Sequence, residues 1–126
     1  MTLLSRDAVL KSNDLKRKVV EVPEWGGSVL VREMTGAERD EYEASMVTEK
    51  EGGQDVRVNL AALRNLRARV VSWCAINEDG SRMFKPTDVQ ALGQKSAAAL
   101  DRLYEAIVIL SGIKEEELEV IEKNSG

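Results

Sequence analysis

The chain has no histidine among its 126 residues. The side chain that most often moves protons near neutral pH is therefore missing. With it go the Ser-His-Asp arrangement, the Cys-His pair and most zinc sites. Cysteine occurs once, at Cys74, so no internal disulfide can form. A lone thiol within an apolar stretch acts as a small buried hydrophobe and suits a reducing compartment. Aromatic residues make up 4% of the chain. The core must then be built from Leu, Val, Ile and Ala, with Trp25, Trp73, Tyr42, Tyr104 and Phe84 as its few large anchors. No apolar run approaches the roughly 20 residues that span a bilayer. Residues 1–12 carry Arg6, Asp7 and Lys11 and lack an apolar segment with a small-residue cleavage site, so no secretory signal is expected there. The net charge of −4 favours solubility and gives no reason to expect a nucleic-acid or membrane partner.

Motifs that would carry chemistry are equally sparse. Gly26-Gly27 and Gly52-Gly53 do not sit in a phosphate-binding or dinucleotide-binding pattern, and turn glycines account for them. Asn77, Asp79 and Gly80 echo part of a calcium loop, but the further acidic ligands are absent at the required spacing. Glu38, Asp40, Glu41 and Glu43 are distributed around a helix and are expected on its solvated face. General acid–base work would need two carboxyls in contrasting environments. Glu115, Glu116 and Glu117 are read the same way. Lys11, Lys16, Arg17 and Lys18 form one basic cluster, and Arg64, Arg67 and Arg69 another. Arg64 and Arg67 of the second are expected on the wet face of a helix, pairing with the acidic helix before it. These readings leave no catalytic residue, cofactor site or metal site to assign, and the chain is not expected to be an enzyme.

The elements that are present predict an α+β domain, predominantly helical, with one N-terminal β-hairpin packed against a bundle of four to five helices. Ser5 caps a short helix ending near Ser12. Residues 15–22 and 28–33 form the hairpin, joined by Pro23-Glu24-Trp25-Gly26-Gly27. In its second strand Val29 and Val31 fall on one side, Leu30 and Arg32 on the other. Thr35-Gly36-Ala37-Glu38 has the form of a capping box and opens a helix to about Glu49. A flexible loop covers about residues 50–58. Asn59 caps a helix from Leu60 to about Ile76, with Leu63, Leu66, Val70, Trp73 and Cys74 on one face. Asn77 to Gly80 is a turn, residues 81–84 a very short strand, and Pro86 to Leu92 a short helix ended by Gly93. Ser96 caps the strongest helix, whose stripe is Leu100, Leu103, Tyr104, Ile107 and Val108. Gly112 ends it. A last short helix buries Leu118 and Ile121, and residues 123–126 fray. One domain over residues 1–126 is expected, because each side of the loop is too small for its own core.

Trp25 is the residue with the clearest binding potential. A Trp at a hairpin tip either folds back to close the core or faces a partner, and Trp is enriched among residues that dominate interfaces. The hairpin edge is a second candidate, since a two-stranded ribbon needs cover. The expected protein-binding residues are therefore Trp25, Val20, Val22, Val29 and Val31.

Several runs carry a resemblance across nearly the whole chain. These are Leu3-Leu4-Ser5-Arg6-Asp7-Ala8, Val20-Glu21-Val22-Pro23-Glu24-Trp25-Gly26-Gly27, Val29-Leu30-Val31-Arg32 and Thr35-Gly36-Ala37-Glu38-Arg39-Asp40. In the later half come Asn77-Glu78-Asp79-Gly80, residues 92–100 and Leu110-Ser111-Gly112. Their order resembles the tail assembly chaperones of long-tailed (siphovirus-like) bacteriophages and prophages. The resemblance implies a protein that binds the apolar, helical tape-measure protein, keeps it soluble and helps recruit tail-tube subunits. It implies a place in the host bacterial cytoplasm and not in the mature virion. It also implies a longer form made by ribosomal frameshifting, for which this chain would be the short form. Shielding a long client with many copies would bring self-association. Two other functions fit the composition: a head–tail or tail completion protein retained in the virion, and a small nucleic-acid-binding regulator.

Overall fold

The structure is a computed structural model that describes residues 2–49, 56–58 and 65–113. Its sheet begins with β1 (Arg17–Val22) and β2 (Gly27–Arg32), which pair antiparallel with Val19 opposite Leu30 and Val20 opposite Val29. The link is a single 3₁₀ turn, Pro23–Trp25. Proline fixes its start, and Gly26 closes it at φ 73°, a conformation that costs glycine nothing. A third short strand, Ala75–Ile76, adds to the other side of β2, with Val31 opposite Ala75 and Leu30 opposite Ile76. Side chains alternate across a sheet. Val22, Val29, Val31 and Ala75 therefore enter the main core, while Val19, Leu30 and Ile76 share the opposite face.

One face of this sheet is covered by helices. The longest runs from Ala97 to Leu110 and buries Ala99, Leu100, Leu103, Tyr104, Ile107 and Val108, the apolar stripe the periodicity predicts. Full burial of side chains such as Leu103 and Ile107 contributes about 1.5–3 kcal/mol each. Ser96 caps its start, accepting from the Ala99 amide at 3.3 Å. Its end is a Schellman motif: Ile113 donates to the Val108 carbonyl at 3.0 Å and Gly112 to Ile109 at 3.1 Å. Gly112 stands at φ 84°, and Ile113 is buried behind it. Against this helix packs another, Leu66–Cys74, which buries Leu66, Ala68, Val70, Val71, Ser72 and Cys74. A helix over Gly36–Met46 brings Tyr42 to Tyr104, with the hydroxyls 2.7 Å apart. In chain order the helices are α1 (Arg6–Lys11), α2 (Gly36–Met46), α3 (Leu66–Cys74), α4 (Val89–Leu92) and α5 (Ala97–Leu110).

The α+β class stands, with several revisions. The hairpin is not a bare ribbon, because Ala75–Ile76 extends it to three strands. The helix from Thr35 stops at Met46, and Val47–Glu49 becomes β3, paired with β4 over Val56–Val58. The end of the expected loop, residues 56–58, is thus strand. β-branched Val47, Thr48, Val56 and Val58 favour extended backbone there. The α3 helix ends at Cys74, and Ala75–Ile76 joins the sheet instead. The two-residue strand is β5. Residues 81–84 make one bridge, Arg82 to Ile76, and not a strand. Residues 50–55, the Asn59 cap, residues 60–64 and everything predicted after residue 113 lie outside the described residues.

Candidate functional site

Trp25 sits half-buried at the hairpin tip, packed partly on the main core. Its tip is held to α5 by Glu24, whose two carboxylate oxygens accept from Arg102 Nε at 3.0 and 3.1 Å. Glu24's own backbone amide, together with Arg102, holds its carboxyl below the ordinary carboxylate range. The rest of the indole borders an open recess of about 390 Å³, lined also by Phe84, Leu92 and Lys95. The two expectations for Trp25 are therefore combined in one ring: part closes the core, and part is presented. Phe84 and Leu92 lie about 60 residues along the chain from Trp25, and no local pattern in the sequence joins them to it.

The four valines are placed differently. Val22 and Val31 have no exposed surface, Val29 is buried and Val20 is half-buried against the same core. Val22, Val29 and Val31 anchor the sheet to the helices, because the paired strands turn that face inward, while Val20 keeps part of its surface exposed. The apolar surface on the sheet is on the reverse side. There Val19, Leu30, Ile76 and Met83, with Ser28, Asn77 and Glu78, line a recess of about 350 Å³. Val19 is 63% exposed and Met83 40%. The alternation in β2 separates Leu30 from Val29 and Val31. That Val19 and Met83 would join Leu30 depends on pairings invisible in the sequence.

The strongest polar cluster joins β2 to α2. Arg32 forms a fork on Glu38, with Nη1 to Oε1 at 2.8 Å and Nη2 to Oε2 at 3.1 Å. The guanidinium also donates to the carbonyls of Glu33 and Trp73, each at 2.9 Å. Arg82 adds a second cation, donating to Glu38 Oε2 at 2.5 Å. The capping box is fully formed: the Glu38 amide donates to Thr35 Oγ1 at 3.1 Å, and the Thr35 amide to Glu38 Oε1 at 2.9 Å. Arg32 is 9% exposed and Glu38 6%. Burial opposes ionisation of Glu38, but Arg32, Thr35 and Arg82 outweigh it and hold the carboxyl below the usual range. Glu38 was expected on a solvated face with Asp40, Glu41 and Glu43. Only the latter three are exposed, because the capping geometry turns Glu38 back over the strand.

This cluster is a fastener between β2, α2 and the turn after β5. Every acceptor on Glu38 is already engaged by a fixed donor, which leaves no place for a substrate proton. Cys74 lies beside it, its Sγ 3.7 Å from Arg32 Nη1. Burial dominates and pushes the thiol up to about 12, so Cys74 is an inert core thiol. Arg67 departs from expectation: it pairs with Asp101 of α5 and stands 5.6 Å over the Tyr104 ring, not against the preceding acidic helix. Among the described residues, no group of three or more His, Cys, Asp or Glu could hold a metal, and no helix is long and apolar enough to cross a membrane.

The structure of the bacteriophage HK97 tail assembly chaperone superimposes with a TM-score of 0.56. The match covers 76% of this chain and 85% of that one, at 18% identity. A search of curated proteins gave no match. The family model for phage tail assembly chaperones matches residues 4–122, and the chain belongs to that family.

Proposed function

We propose that this chain binds a phage tape-measure protein before tail assembly, keeps it soluble and helps recruit tail-tube subunits around it. The observation that carries this reading is the family match over residues 4–122. The geometry supports it through the recess of Trp25, Phe84 and Leu92. An apolar client segment docked there loses water contact, at roughly 25 cal/mol per Å² of apolar surface. Trp25 is half out of the core and so contributes to both stability and docking. The hairpin, backed by its helices, holds the ring in place and limits the entropy lost on binding. Lys95 at the rim matches an acidic group flanking an apolar client stripe. Exposed Asp40, Glu41 and Glu43 keep a loaded complex in solution. The expected setting is the host cytoplasm, with release before the virion is complete. A frameshifted longer form would supply contacts to tube subunits.

The test is co-purification of the tagged chain with the tape-measure protein of the same phage. Trp25→Ser should lower recovery of the client while the chain stays folded by circular dichroism. Equal recovery with the wild type would remove Trp25 from the binding surface. No recovery with either, or tight incorporation of the chain into purified virions, would overturn the function.

A further inference from the structure

The end of α5 turns the chain back on itself. Gly112 stands at φ 84°, and the Ile113 amide returns to the Val108 carbonyl at 3.0 Å. Ile113 is buried by this turn, so the path of the chain is bent toward the body of α5. Along that helix lie Ile109, 49% exposed, half-buried Ala106 and exposed Arg102, an outer stripe at helical spacing. The stripe leads to the hairpin tip, because Arg102 holds Glu24 there. Beside the tip is the recess of Trp25, Phe84, Leu92 and Lys95, about 390 Å³ in volume.

The recess has a definite chemistry: three apolar side chains and one cation. Residues 115–122, Glu-Glu-Glu-Leu-Glu-Val-Ile-Glu, have the complementary one. Leu118, Val120 and Ile121 supply apolar surface, and glutamates flank them on both sides. The other uncovered apolar segment is the arm at the N-terminus, where Leu4 and Leu10 are 72% and 66% exposed. It carries Arg6 and Lys11 and would bring like charge to Lys95. The reach also suits the acidic segment. From Arg102 to Ile113 is roughly 16 Å at the helical rise. From Ile113 to Ile121 the chain spans about 12 Å if helical and at most about 28 Å if extended.

We propose that residues 115–122 dock in the Trp25 recess of their own chain, with Leu118 and Ile121 against Trp25, Phe84 and Leu92 and the flanking glutamates toward Lys95. The segment covers the indole while no client is present. Its tether gives it a high effective concentration, so a weak apolar peptide fails to displace it, and a client with a longer apolar stripe succeeds. That consequence rests on the function proposed above. The docking itself needs no client.

The test uses the full chain with Trp73→Phe, which leaves Trp25 as its single tryptophan. Adding Ile121→Asp should lower the docked population at least about tenfold, the loss of one isoleucine-sized apolar contact. Trp25 emission should then move to the red, and acrylamide should quench it more strongly. Lys95→Glu, a change at an exposed residue, should do the same, and Glu119→Lys with Glu122→Lys should restore protection to the Lys95→Glu chain. Protection in the parent should be unchanged on dilution. Equal emission and quenching in the parent, Ile121→Asp and Lys95→Glu chains would overturn the proposal. So would protection lost on dilution, which would put the segment on a second copy. Recovery of the tape-measure protein of the same phage separates the two readings: it should rise with Ile121→Asp. Trp25 uncovered with no gain in recovery would uphold the docking and remove the recess from client binding.

Discussion

Replacing Glu38 with alanine should be among the most damaging single changes in the chain. It removes the carboxylate that receives Arg32, Arg82 and the Thr35 amide. Arg32 would stay buried with its charge unmatched, a situation that costs about 3–5 kcal/mol. Its bonds to the Glu33 and Trp73 carbonyls persist, which places the loss toward about 3 kcal/mol. Domains of this kind have total stabilities of about 5–15 kcal/mol, so the change is severe without abolishing folding. Urea unfolding followed by tryptophan fluorescence is the assay, with the midpoint falling and the slope unchanged. Arg82→Ala is the internal control: its side chain is 44% exposed, and its loss should cost under about 1 kcal/mol. The double replacement Arg32→Met with Glu38→Leu should be less damaging than Glu38→Ala alone, since it removes the stranded charge. A Glu38→Ala cost equal to that of Arg82→Ala would refute the view that this buried pair fastens β2 to α2.

Further consequences concern pH, the thiol and the caps. The Glu38 carboxyl is held below its unfolded value, so its contribution is present above the ordinary carboxylate range and is lost as pH falls through the depressed folded value. The gap in melting temperature between wild type and Glu38→Gln should therefore close in acid; a constant gap would refute the linkage. For Cys74 the sign is opposite. Its folded thiol is pushed up to about 12, so the stability it carries is full below the unfolded thiol's value and is lost as pH rises toward 12. A conservative Cys74→Ser variant should show a flatter alkaline stability profile, and native Cys74 should react with a thiol reagent only on unfolding. Gly112→Ala forces a β-carbon into the left-handed region and should cost about 1–2 kcal/mol by thermal unfolding; a neutral effect would remove the Schellman cap from the account.

The elements legible in the sequence were those specified by neighbours in the chain. Ser5, Thr35 and Ser96 cap as their local motifs require, and the spacing of Leu100, Leu103, Tyr104, Ile107 and Val108 marks the buried face of α5. The hairpin turn follows from Pro23 and Gly26. What escaped was everything set by distant pairing. Ala75–Ile76 looks like the end of a helix until β2 captures it. Glu38 looks like one of four surface acids until Arg32, from the preceding strand, closes over it. The valines of the hairpin are strand residues as the pattern predicts, and Val22, Val29 and Val31 are buried. Their inward orientation comes from α5, more than 60 residues later. Trp25 was visible as a residue of interest, but Phe84 and Leu92, which make its recess, were not.

The central claim is that this chain shields a tape-measure protein. Co-expression of that protein with and without the chain, followed by measurement of its soluble fraction, tests it most directly. The account predicts that the client partitions into the pellet alone and into the supernatant with the wild-type chain, with Trp25→Ser giving less rescue. A client that is equally soluble, or equally insoluble, whether or not the chain is present would contradict it.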